Sequence, residues 1–279
     1  RYASSGQCVY MPSQETVNPS ACVRAYPVVE KHRFIWIWPG DPALADPALI
    51  PDLHWNDDAN WAGDGEVFHI ACDYRLVIDN LMDLTHETYV HSSSIGNREV
   101  AESPFEVTHC ETGVTVTRWM LDIEPPPFWR KQLPAAERAD RWQIIRFEPP
   151  ATIAIDVGIA KAGTGAPQGD RSQAVTGLVL NTITPETDRS CHYFWAFVRD
   201  HHLSEEKWTH FLRESVHNVF LEDYAILEAQ QKAIDANPGY RFSNLNIDAG
   251  SMWARRLIDR MIADETGGQP QAAEYVAND

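Results

Sequence analysis

The chain has 279 residues, 44% hydrophobic and 23% charged, enough to bury the core of one large domain or two smaller ones. Forty acidic residues against 23 basic ones give a formal net charge of −17, which argues against a nucleic-acid partner because phosphate backbones need positive charge. No run approaches the roughly 20 apolar residues of a membrane span, and no basic-then-apolar leader opens the sequence.

An acidic surface suits docking to a basic redox protein, although most such surfaces only confer solubility. The five cysteines include no Cys-x2-Cys pair and do not read as a disulfide framework, which points to a reducing cytoplasm.

Residues 1–40 carry short β-type runs, "QCVYM", "CVRAYPVVE" and "RFIWIW", punctuated by turn residues. The opening "RYASSGQCVYMP" starts at Arg1 and reads as the middle of a strand and turn, so a segment is expected to precede it in the intact protein. "DPALADPALIPD", residues 41–52, repeats Asp-Pro-Ala-Leu and reads as a linker. Val67–Cys72 is strand-like, and a helical pattern begins near Tyr74. Residues 105–120 alternate around Glu111-Thr112-Gly113, the pattern of a hairpin. Residues 141–163 and 174–200 supply further strands, joined by a polar turn; a strand there sends Cys191 and His192 to opposite faces.

From Ser204 the pattern turns helical, with Ser204 as N-cap, acids in the first turn, and an end near Asn237-Pro238-Gly239. A last helix covers residues 251–265. This order predicts an α+β fold, an antiparallel sheet with helices packed on it.

Two features carry the chemistry. At 100° per residue, Trp208, Phe211, Leu212, Val216, Val219, Phe220, Ile226 and Leu227 form one stripe of the long helix, and Asp223 falls in its middle. An ionised carboxylate there needs a buried ion pair, a hydrogen bond or a metal ion. Far upstream, "DNLMDLTHETYVH" places Asp79, Asp83 and His86 on one helical face, with His91 five residues beyond His86. Zinc proteases need the two histidines four apart, so convergence of His86 and His91 requires a helix that ends or distorts near Ser92–Gly96. The alternative is two ordinary histidines near a helix end. Two histidines and one carboxylate are also the facial ligand set of non-haem iron(II).

Asp83, His86 and His91 match the Asp-x2-His-x4-His signature of the Rieske-type non-haem iron aromatic oxygenases, and Asp223 in "FLEDYAILEAQQ" matches their late-helix aspartate. "DYRLVIDNLMDLTHETYVHSSSIG", "PPFWR", "DRWQIIRFEPP", "ITPETDRSCHYFW" and "LNIDAG" resemble the vanillate O-demethylase oxygenase branch of that family, with dicamba O-demethylase a more distant cousin. The resemblance runs over essentially the whole chain. It implies a helix-grip, START-like catalytic domain over 49–279, preceded at 1–48 by the last part of a Rieske domain. The Cys-x-His and Cys-x2-His pairs that hold a [2Fe–2S] cluster in the family do not occur in these 279 residues, so the cluster is expected only in the full-length protein.

The resemblance further implies mononuclear iron(II) on His86, His91 and Asp223, and O-demethylation of a vanillate-like methoxylated aromatic acid with O₂, releasing formaldehyde. Electrons would come from an NADH-dependent flavin/iron–sulfur reductase. A homotrimer is implied, in which Asp83 bridges a neighbouring subunit's cluster to a ligand histidine. Asn80 and Asp79 are expected to orient the ligands. Asn181 aligns with a substrate-contacting position of the dicamba enzyme, and Trp129-Arg130 are expected to face the substrate carboxylate, unless Arg130 is a surface loop residue. Ring hydroxylation of another aromatic, a non-catalytic helix-grip binding domain and a zinc hydrolase are the competing readings.

Overall fold

The computed structural model describes residues 1–240 and 242–267 of the chain. They form two compact units that divide between Asp57 and Asp58. In the first, strands β1 (Val28–Lys31) and β2 (Phe34–Ile37) pair as an antiparallel hairpin. "QCVYM" is no strand; Gln7 and Cys8 make single bridges to Cys22 and Tyr2. The Asp-Pro-Ala-Leu repeat folds into two 3-10 turns, Pro42–Leu44 and Pro47–Leu49. Asp41 and Asp46 cap them by accepting from the backbone N–H of Ala43 and Ala48, each at 2.9 Å.

The second unit is built on one seven-stranded antiparallel sheet: β3 (Ala62–Ile70), β4 (Phe105–Cys110), β5 (Gly113–Ile123), β6 (Ala139–Glu148), β7 (Thr152–Lys161), β8 (Ala174–Thr187) and β9 (Ser190–Arg199). The order across the sheet is β3-β9-β8-β7-β6-β5-β4. Strands β4 to β9 are therefore a meander, and the first strand closes on the last. β3 starts at Ala62, earlier than its apolar run suggests, because it pairs with β9 along its whole length.

The connection from β3 to β4 crosses from one sheet edge to the other. It contains α1 (Tyr74–Met82), a 3-10 turn at Leu84–His86, α2 (Glu87–Val90) and α3 (Arg98–Glu102). A short α4 (Pro127–Gln132) follows β5, and α5 (Glu206–Ala236) and α6 (Ala249–Thr266) close the fold. Leu76, Ile78 and Leu81 of α1, Leu212, Val216 and Leu227 of α5, and Ala254 and Ile258 of α6 share one core with the strands. The helices thus cover a single face of the sheet, the expected α+β layering.

Two local readings change. Ser204 does not cap α5; Glu205 holds that position without a side-chain bond. The buried Arg199 organises this entry instead, its Nη2 donating to the carbonyls of His202 and Glu205 and its Nη1 to Thr209 Oγ1. Ile226 is exposed, and Gln231 takes a buried place on the α5 stripe. On the opposite face of the sheet Trp142 lies across its strand partner Gly158, where a Cβ would sit 2.0 Å from the indole. Trp142 Nε1 donates to Asp156 Oδ1 at 2.7 Å.

Candidate metal centre

The segment carrying the histidines is one helix broken twice. α1 ends at Met82, and Asp83 turns extended (φ −125°, ψ 100°), so Asp79, Asp83 and His86 do not share a helical face. Asp83 Oδ1 instead accepts the backbone N–H of Thr85 at 2.9 Å and caps the 3-10 turn that ends at His86. α2 then lasts one turn and stops at Val90, and the His91 carbonyl accepts the N–H groups of Ser94 and Gly96. Gly96 packs so closely on α2 that a Cβ would lie 1.9 Å from the Glu87 carbonyl oxygen. These breaks bring the two imidazoles together, ring centres 5.2 Å apart at 76°.

The stripe anomaly on α5 supplies the third group. Asp223 Oδ1 lies 3.3 Å from His86 Nε2 and 3.2 Å from His91 Nε2. His91 is 1% exposed and Asp223 6%. His86 Nδ1 donates to the Asp83 backbone carbonyl at 2.7 Å, and since a carbonyl only accepts, the tautomer is fixed. His91 Nδ1 lies 2.6 Å from Glu222 Oε2. Both Nε2 atoms are thereby turned towards the same carboxylate oxygen. Asn80 Nδ2 donates to that oxygen at 3.2 Å. Asp79 has another partner: it accepts two bonds from Arg255 Nε of α6, at 2.9 and 3.1 Å.

The electrostatics follow. Burial pushes the Asp223 carboxyl up, but hydrogen bonds from His86 and His91 outweigh it and hold the group at about 2. Burial pulls His86 down, yet the hydrogen bond and charge of Asp223 outweigh that and raise it to about 9. His91 is raised by the same carboxylate against burial. The donor set is a buried anion that needs positive charge beside it. Metal–ligand bonds of about 2.1 Å put neighbouring ligand atoms about 3 Å apart, the spacing found here, so the residues fit a divalent cation bound by two histidines and a carboxylate. A second trio, His69, Glu186 and His192, also brings its ligating atoms within 4.8 Å, but it lies on the surface.

The buried trio opens onto a cavity. Phe128, Trp129, Phe197 and Phe220 line it with Val157 and Val179. Of the expected substrate contacts, Trp129 lies on this wall. Arg130 does not: it is half-exposed and pairs with Glu124 at 2.8 Å. Nor does Asn181, whose amide donates to the Ile153 and Val179 carbonyls and accepts from Tyr193 Oη at 2.7 Å. The sequence reading missed Glu222, which falls off the apolar stripe, and a buried trio on the cavity wall, Glu87, Arg141 and Gln143. A signal for the last two existed: they share strand parity with Ile145 and Phe147, so polar residues stand on an apolar face.

Residues 70–264 match the family model of the vanillate O-demethylase oxygenase C-terminal domain. The chain is 46% identical over 272 residues to the vanillate O-demethylase oxygenase subunit of a Pseudomonas species, covering 95% of this chain and 82% of that one. Among solved structures, dicamba monooxygenase bound to 3,6-dichlorosalicylic acid superposes with a TM-score of 0.87 at 31% identity, over 95% of this chain and 78% of that one. The same enzyme with non-haem iron and dicamba gives a TM-score of 0.77 at 30% identity, over 95% and 77%.

Proposed function

Because the chain belongs to the vanillate O-demethylase oxygenase family of Rieske-type non-haem iron oxygenases, we propose that it is the oxygenase component that removes the methyl group of a methoxylated aromatic acid. The observation that carries this reading is the buried His86, His91 and Asp223 set opening onto an aromatic-walled cavity. Flat aromatic walls suit a substrate ring, and their apolar surface keeps water from the reacting carbon.

His86, His91 and Asp223 would hold mononuclear iron(II), which, when bound, supplies oxidation of the substrate by O₂. The chain's own part is to fix those ligands through the Asp83 carbonyl, Glu222 and Asn80. In the overall reaction one methoxy C–H becomes C–OH, and the hemiacetal collapses to a phenol and formaldehyde. One oxygen atom of O₂ leaves in formaldehyde and the other in water, with two electrons and two protons consumed. The relatives' description as oxygenase subunits implies a separate reductase; its electrons would come from NADH through flavin and iron–sulfur centres.

Residues 1–48 are read as the closing part of a Rieske domain; they fall within the first compact unit, Arg1–Asp57. The assembly is read as a homotrimer in which Asp83 passes electrons from a neighbour's [2Fe–2S] cluster. Supporting this, Asp83 is only half-buried, and its backbone carbonyl already holds His86. Among the described residues no helix is long and apolar enough to cross a membrane.

The test is a panel of aryl methyl ethers supplied to the whole oxygenase with reductase, NADH and O₂. Formaldehyde equal to the phenol formed is expected. A hydroxylated product that keeps its methoxy group would replace demethylation with ring hydroxylation.

A further inference from the structure

The cavity wall is not uniformly apolar. Glu87, Arg141 and Gln143 line it, at 4%, 1% and 1% exposure. Arg141 Nη2 donates to Glu87 Oε2 at 2.9 Å and Nη1 to the Ile95 carbonyl at 2.8 Å. Gln143 Nε2 donates to the other Glu87 oxygen at 2.7 Å. Within this trio the arginine charge is matched by the glutamate, so it offers no spare positive charge to a carboxylate.

The same contacts orient the glutamine. An ionised carboxylate only accepts, so the nitrogen of Gln143 must face Glu87, and its Oε1 must face away. That oxygen is buried and has no partner in the protein. The indole Nε1 of Trp129, on the same cavity, is likewise buried without a partner. Buried polar atoms without partners are uncommon and costly. Here they are one fixed acceptor and one donor on residues that line the cavity of the metal ligands, and Gln143 also lines a smaller neighbouring pocket with Asp83, Arg118 and Ile145.

We infer that Gln143 is the residue that selects substrates by a hydrogen-bond donor on the ring: its Oε1 accepts from a phenolic hydroxyl, and Trp129 Nε1 donates to a substrate oxygen. The acceptor disfavours a carboxylate or a second ether at that position, because neither brings a proton. This rests on the demethylase reading and names the group that makes its cavity selective. A site built to receive a hydroxyl rejects the analogue without one, since its own polar atom is then left unmet.

The test is calorimetric binding to the iron-loaded oxygenase without O₂. The ligands are 4-hydroxy-3-methoxybenzoate, 3,4-dimethoxybenzoate and 3-methoxybenzoate. The hydroxylated ligand is expected to bind at least about tenfold tighter than the other two. Gln143→Leu should reduce that preference to about threefold or less and leave 3-methoxybenzoate binding within about threefold. Gln143→Met, closer in shape, serves if the leucine variant does not fold. Equal binding of all three ligands by the unmodified protein, or an equal loss for all three in the variants, would overturn the assignment. Formaldehyde release is scored separately. A hydroxyl preference that depends on Gln143 without formaldehyde sinks the demethylase reading and keeps this one; formaldehyde without that preference does the reverse.

Discussion

Glu222 Oε2 lies 2.6 Å from His91 Nδ1, while its sequence neighbour Asp223 faces Nε2 of the same ring at 3.2 Å. One imidazole is thus held at both edges by consecutive residues of α5. The outer contact fixes which nitrogen is free for a metal, and such contacts are typically worth about 10–100-fold in metal affinity. Glu222→Ala is therefore expected to lower iron affinity about 10–100-fold with the fold intact, read by competition with a chelator and by circular dichroism. Unchanged affinity would show that the contact does not orient the ring.

Asp223→Ala removes the only carboxylate in the donor set. Iron retained after desalting is expected to fall to background, with turnover lost. Stoichiometric iron in that variant, measured by elemental analysis, would remove Asp223 from the ligand assignment.

Asp83→Asn keeps an N-cap acceptor for Thr85, and asparagine caps as well as aspartate. The carbonyl that holds His86 belongs to the backbone and survives the change. Iron content and melting temperature should therefore stay near those of the unmodified protein, while turnover falls by orders of magnitude. The decisive measurement is single-turnover oxidation of the reduced cluster: an unaltered rate would rule out the bridging role.

Glu87→Gln removes the counter-charge of Arg141, where both side chains are almost fully buried. Breaking such a pair from one side typically costs about 3–5 kcal/mol. A loss of that order in urea unfolding is expected; a change below about 1 kcal/mol, typical of exposed pairs, would mean that the pair relaxes to solvent.

The parts legible in the sequence were those with a periodicity to break. Asp223 stood out because apolar neighbours at helical spacing surround it, and the antiparallel sheet followed from alternating strands and their turns. Glu222 was illegible because one residue's rotation, 100°, puts it off the stripe, where it reads as solvated; its importance depends on a loop folded from 131 residues earlier. The break at Asp83 was also hidden, since Asp79, Asp83 and His86 fit a continuous helix until Asp83 caps a new turn. Arg141 and Gln143 share the parity of Ile145 and Phe147, a signal weakened because this stretch of β6 is buried on both faces.

The strand order also carries a consequence for how the chain reaches its native state. Each turn of the meander brings near neighbours together, but joining β3 to β9 pairs Ile70 with Cys191, more than a hundred residues away. Closing so long a loop costs more entropy than closing the short ones. The crossover bearing both histidines is tethered directly to β3. Pulse-labelled hydrogen exchange during refolding is expected to show protection of residues 139–161 before residues 62–70. In that sequence of events the chelating pocket does not exist while the chain is half-made, and a passing cation meets it only as a finished shape.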